Sequence, residues 1–251
     1  MSVMPSVLLH DPPAFVDAAA EEILSRLETL LATHPQVVLM LTGGSTPRAI
    51  YARMAQARTR LDWSRIRFGF GDERMVPPDH EDSNFRMASE TLLTPLEIPA
   101  AHIWRMEGEL SPPEAARRYE TVLREGIGQD GQSCHLLLLG MGDDAHCASL
   151  FPHTQGLVEH SRWVVENWVP KLQTWRLTLT YPALNAADQV LFLVNGEKKA
   201  SALAQVLKGA QDMLQYPAQG VQPVTGKLTW LVDQAAASQL WDETEAPERR
   251  S

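Results

Sequence analysis

The chain predicts an α/β fold, a doubly wound and mostly parallel sheet with helices on both faces. Two observations predict it, and a third points to where it would bind a ligand. Apolar runs such as "QVVLMLT" (36–42) and "CHLLLLG" (134–140) lack polar alternation, which suits strands buried on both faces. Segments with helical spacing alternate with such runs along the chain. The unusual loops, at 43–46, 71–86, 140–147 and 195–196, all follow predicted strands. Doubly wound sheets bind ligands at that carboxyl edge. With 251 residues, 44% of them hydrophobic, the chain can bury a sizeable core. No repeat or long linker interrupts it, so one domain over 1–251 is expected.

In order, "SVLLH" (6–10) is a short first strand. Asp11-Pro12-Pro13 reads as a helix start, with Asp at the N-cap and proline in the first positions. Phe15, Ala19, Ile23, Leu27, Leu30 and Leu31 then recur at helical spacing, and that helix should lie on the sheet. Strand 36–42 ends in Gly43-Gly44-Ser45-Thr46, followed by Pro47 and a helical "RAIYARMAQA". "RIRFGF" (65–70) runs into the polar stretch "GDERMVPPDHEDSNF". "RLTLT" (176–180), "QVLFLV" (189–194) and "KLTWLV" (227–232) are further strands, with helices expected over 197–209 and 233–241. The tail "EAPERR" is expected to fray.

The formal net charge is −9 and the pI about 5.4. That argues against a nucleic-acid surface, which needs clustered Lys and Arg. It leaves room for one basic pocket. Cys134 and Cys147 form no CxxC motif and read as reduced thiols. No signal-peptide pattern opens the chain, and no apolar run nears membrane-spanning length. A soluble cytoplasmic protein is expected. Seven tryptophans, including Trp163, Trp168 and Trp175, suit an interface, a core or a pocket rim; the oligomeric state is not legible.

Four segments are candidates for chemistry. In "LTGGSTP" a strand, a Gly-Gly turn and a helix start make an anion site, because helix N-termini point N–H groups at negative charge. Ser45 or Thr46 also suits a helix cap, with Pro47 at the first position; the two roles are compatible. The spacing is not that of a Walker A loop. In "GFGDERMVP", Asp72, Glu73 and Arg74 are either a solvated loop or a site, where an arginine would hold a phosphate or an oxyanion. "GMGDDAHCASLFP" (140–152) has two glycines but lacks the third glycine of GxGxxG, since residue 145 is alanine. Zinc ligands at suitable spacing, and a GxSxG elbow, are absent. His146 and Cys147 are adjacent, so their side chains diverge. That leaves His146 as a structural residue or as a base acting on water, with Asp144 contacting substrate or fixing the loop. In "VNGEKKASAL", Lys199 follows Gly196 and either solvates a helix or reaches an anion at the sheet edge.

Together the blocks "LTGGSTPRAIY", "FGFGDERMVPPDHEDSNF", "LLLLGMGDDAHCASLFP" and "RLTLTYPALNAADQVLFLVNGEKKASAL" resemble the 6-phosphogluconolactonase family, which groups with the glucosamine-6-phosphate deaminases. The resemblance covers nearly the whole chain. It implies a Rossmann-like fold and hydrolysis of 6-phosphoglucono-1,5-lactone in the pentose phosphate pathway, without metal or cofactor. It implies His146 as general base and Gly43, Gly44, Ser45 and Thr46 around the phosphate. Asp72, Arg74, Asp144, Arg176 and Lys199 are further expected substrate contacts. A small sugar phosphate, rather than nucleic acid or membrane, is the implied partner. Two departures stand out: the family usually reads DGHT where this chain has Asp144-Ala145-His146-Cys147. If the glycine position uses positive φ, alanine costs on the order of 1 kcal/mol. A deaminase using Asp72 as base, and a non-catalytic sugar-phosphate sensor, are the alternatives.

Overall fold

The computed structural model describes residues 6–127 and 134–241. In chain order the elements are β1 (Ser6–His10), α1 (Phe15–Thr33), β2 (Val37–Leu41), α2 (Ser45–Ala55), β3 (Ile66–Phe70), β4 (Asp72–Arg74), α3 (Asn84–Ala88) and α4 (Pro112–Gly126). They continue with β5 (Leu136–Gly140), β6 (Val164–Val169), β7 (Thr174–Leu179), α5 (Tyr181–Leu184), β8 (Gln189–Val194), α6 (Ala200–Lys208) and β9 (Lys227–Asp233).

Six strands form a parallel sheet in the order β1-β9-β8-β5-β2-β3. The unbroken apolar runs are explained by its two covered faces. Val37, Leu39 and Leu41 of β2 join the core built with Ile23 and Leu27 of α1 and Ile50 and Met54 of α2. Val38 and Met40 point the other way, into the core with Leu123 of α4 and Leu203 of α6. Each such side chain contributes about 1.5–3 kcal/mol through burial.

Two buried tyrosines fix the carboxyl edge. Tyr51 Oη donates to the Thr42 carbonyl (3.0 Å) and accepts from the Thr42 N–H (2.9 Å). Tyr119 Oη does the same for Phe70, at 3.0 and 2.7 Å. Backbone groups that leave the ladder at the ends of β2 and β3 are thereby satisfied without water.

A second, antiparallel sheet has the order β4-β7-β6. The chain passes from one sheet to the other at Gly71, whose N–H donates to Leu41 O and whose carbonyl accepts from Leu179 N–H, both at 2.9 Å. This corrects three readings. Segment 176–180 lies in the small sheet rather than the parallel one. Asp72–Arg74 is a strand instead of a loop. β6 is a strand that the apolar-run criterion passes over, because "VVENWV" mixes Glu166 and Asn167 with apolar residues. The expected helix over 233–241 is a succession of turns after β9. Helix 197–209 is α6 with a 3-10 turn at Glu197–Lys199 before it. Asp11 does precede a 3-10 turn, but its side chain makes no capping bond. The tail "EAPERR" lies outside the described residues. Trp163 lies under the Arg124 guanidinium, whereas Trp168 and Trp175 form an exposed edge-to-face pair on β6 and β7.

Candidate active site

β2 leads to β3 on one side, while β5 and the later strands build on the other. The switch point therefore lies between β2 and β5, and a cleft opens there at the carboxyl edge. It has two adjoining lobes of about 230 Å³ each, which share Asp72, Arg74, His146 and Ala148. The inner lobe adds Gly43, Gly44, Ser45, Thr46 and Lys199. The outer lobe adds Asp144 and Arg176. Every residue singled out from the sequence as a candidate contact thus lines one cleft.

The inner lobe is built on the start of α2. Gly44 is the N-cap, at φ 110°, a conformation that favours glycine. No side chain caps the helix, so Ser45 is its first residue and Pro47 its third, contrary to the capping expectation. The N–H groups of Ser45 and Thr46 consequently face the lobe as the positive end of the helix dipole. Thr46 Oγ1 donates to Asn195 Oδ1 at 2.5 Å, tying this turn to the one after β8. A side chain at Gly43 would collide with Asn84, its Cβ falling 1.9 Å from Oδ1.

His146 sits where the lobes meet. Its Nδ1 lies 2.5 Å from Asp144 Oδ1, and Lys171 Nζ donates to Asp144 Oδ2 at 2.8 Å. Burial raises the Asp144 pKa, but the bonds from His146 and Lys171 outweigh it and hold the carboxyl well below its usual range. An ionised carboxylate only accepts, so Nδ1 carries a proton, and Nε2 is the nitrogen left to act as a base in the neutral ring. Phe151 stacks on the ring at 4.0 Å between centroids. The backbone closes tightly underneath, with Gly142 N–H on His146 O at 2.8 Å. Ala145 is fully buried at φ 62°, and its carbonyl accepts from Ala218 N–H at 3.0 Å. Cys147 is buried as well, and burial pushes its thiol pKa strongly up.

Arg74 and Arg176 are directly opposite one another in the β4–β7 ladder. Like charges so placed repel, and burial followed by the Arg74 charge lowers the Arg176 pKa. Arg74 donates to the Asp82 carbonyl. Among the described residues, Arg74, Arg176 and Lys199 have no carboxylate at ion-pair distance, whereas Arg26, Arg53, Arg60 and Arg86 all do. An uncompensated set of cations in a cleft of an acidic protein is an anion site.

Asp72 and Glu73 point to opposite sides of β4. Asp72 accepts from Ser149 Oγ at 2.6 Å and from Asn84 Nδ2 at 3.3 Å. Glu73 is buried and accepts from the N–H groups of Arg74, Asn84 and Phe85, all at 2.8 Å, and from Ser83 Oγ. Burial raises its pKa against the pull of those bonds. Lys171, Phe151, Asn84 and Ser149 escaped the sequence reading. Asn84, Ser149 and Phe151 lie inside the candidate blocks but carry no pattern of their own; Phe151 stacks on the imidazole from five residues along the chain, whereas Lys171, Asn84 and Ser149 meet the site through contacts distant in sequence.

The model of the glucosamine-6-phosphate isomerases/6-phosphogluconolactonase family matches residues 10–230. The chain belongs to that family. It is 39% identical over 237 residues to a 6-phosphogluconolactonase of Nostoc, covering 93% of this chain and 97% of the relative. A Synechocystis 6-phosphogluconolactonase matches at the same identity and coverage. The crystal structure of 6-phosphogluconolactonase from Thermotoga maritima superposes with a TM-score of 0.81 at 32% identity, over 92% of this chain and all of that one. A monomeric glucosamine-6-phosphate deaminase shares the fold, with a TM-score of 0.77 at 21% identity over 93% of this chain and 99% of that one. No helix among the described residues is long and apolar enough to cross a membrane.

Proposed function

We propose that this protein, as one domain, hydrolyses 6-phospho-D-glucono-1,5-lactone to 6-phospho-D-gluconate, with water activated by His146 and no covalent intermediate. The observation that carries the reading is an imidazole held by an ionised carboxylate in a cleft where Arg74, Arg176 and Lys199 lack ion-pair partners, with no competent nucleophile beside it among the described residues. Ser149 Oγ is buried and donates to Asp72, and the Cys147 thiol is held protonated by burial. A lactone is an activated ester, so a general base and a positioned water suffice. His146 Nε2 takes a proton from water while the oxygen attacks C1. The negative charge that develops on the carbonyl oxygen is stabilised by the surrounding cations. The C1–ring oxygen bond then breaks, and the imidazolium returns its proton to the departing oxygen. The α2 N-terminus and Lys199 receive the phosphate, and remote binding energy orients C1. The chemistry calls for no cofactor. A sugar phosphate is the partner, and the cytoplasm the compartment.

Both Asp72 oxygens are engaged by Ser149 and Asn84, which disfavours its use as the mobile base of a deaminase. The test is the rate above spontaneous hydrolysis with fresh lactone, coupled to a dehydrogenase that consumes 6-phosphogluconate. A folded His146→Ala protein should lose at least about 100-fold in kcat/KM. No acceleration by the wild type, or full activity in the variant, would overturn the proposal.

A further inference from the structure

Lys171 stands outside the mechanism above, yet it closes a chain of polar contacts onto its base. It lies on the 3-10 turn Pro170–Leu172 that joins β6 to β7. That turn is stiff. Proline fixes its first position, Gln173 closes it at φ 50°, and the Gln173 side chain donates to the Pro170 carbonyl at 2.7 Å. The hairpin belongs to the same small sheet as Arg74 and Arg176, so it aims the ammonium into the outer lobe from a fixed base. The Asp144 carboxylate is thereby divided. One oxygen faces the His146 ring and backbone N–H, and the other faces Lys171 at 2.8 Å.

We propose that Lys171 is a positioning residue that sets both the orientation of the Asp144 carboxylate and the basicity of His146. This rests on His146 acting as the base. Other groups face the cleft beside the imidazole: Asp143 and Asp144 from its own loop, Asp72 and Arg74 from β4, Arg176 from β7, and Lys199 from the turn before α6. Asp144 is the one hydrogen-bonded to the ring, and a carboxylate there favours imidazolium. Lys171 opposes that charge directly. Its ammonium offsets part of the negative charge that the carboxylate presents to the ring. The lysine side chain is 63% exposed while Asp144 is 20% exposed. Such a pair adds little to stability, so substitution should leave the protein folded.

The sign follows from Coulomb's law. With Lys171→Met, Asp144 is uncompensated and the imidazolium gains. The His146 ring titration, followed by NMR and assigned with His146→Gln, should move up by about half a pH unit or more. The acid limb of kcat/KM should move up with it, and kcat at neutral pH should fall severalfold with KM little changed. Lys171→Arg should restore both. An unmoved His146 titration in Lys171→Met overturns the proposal. So does a KM raised tenfold with an unmoved acid limb, which would make Lys171 a substrate contact. The NMR titration needs no turnover. If the wild type fails to hydrolyse the lactone, the functional reading falls while the Lys171–Asp144–His146 coupling is still decided.

Discussion

At Gly142 the absence of a side chain holds His146 in place. A Cβ there would lie 2.1 Å from His146 Nδ1 and 2.6 Å from Asp144 Oδ1. The ring would have to swing by something near 1 Å, and a displacement of that size costs about 100-fold in rate. Gly142→Ala should therefore lose about two orders of magnitude in kcat/KM. Its φ is not positive, so the thermal midpoint should shift by only a few degrees. Full activity in that variant would show that the loop relaxes. The glycine was visible in the sequence but its reason was not. The close approach of residue 146 to residue 142 depends on the left-handed turn at Ala145, and an alanine gives no local sign of positive φ. The conditional expectation about this position holds to the extent that Ala145 does take φ 62°. The strain, about 1–2 kcal/mol, is set against a methyl buried in the core and a carbonyl held by Ala218.

At the scale of elements, Glu73 is the hub of the segment that carries Arg74. Its two oxygens accept one hydroxyl and three backbone N–H bonds, which order the start of α3 and the strand it leaves. An amide of the same shape must turn an NH₂ toward donors, so Glu73→Gln loses accepting capacity and buries a conflict. The expected loss is about 1–3 kcal/mol in urea unfolding, together with a higher KM as Arg74 loses its anchor. Unchanged stability would mean the loop is held by packing alone. The parallel strands were legible because burial on both faces leaves an unbroken apolar run. β4 was not, because "DER" reads as solvent-exposed, and only the pairing with β7 and the bonds to α3 make its burial tolerable. Residues 234–240 close only turns, although Asp233 Oδ1 accepts from the Ala236 N–H, a bond of the kind that opens a helix; the same oxygen accepts from the Gly196 N–H and ties this segment to the turn after β8.

Across the whole molecule, the two ends of the parallel sheet carry different chemistry. The cleft occupies the carboxyl end. At the amino end, His135 Nδ1 accepts from the Val38 N–H at 3.0 Å, and the His34 ring meets it edge-on at 4.8 Å. Protonation would put an N–H against another N–H in a half-buried site. Burial first, and His34 second, lower the His135 pKa. In the unfolded chain histidine titrates near 6.5. Below that pH the unfolded state takes up a proton that the folded state resists, so stability is fully present above about 6.5 and declines as pH falls toward the folded value. Solvent reaches the ring in part, so the loss is small, about 0.5 kcal/mol or less. Urea midpoints at pH 7.5 and 5.5 should fall further apart in the wild type than in His135→Gln, whose amide oxygen can still accept from Val38. The same gap should persist in a His146→Ala background, because distant sites add independently. Equal pH dependence in the wild type and His135→Gln would remove His135 as the source, and loss of the gap in the His146→Ala background would mean the two ends of the sheet are coupled.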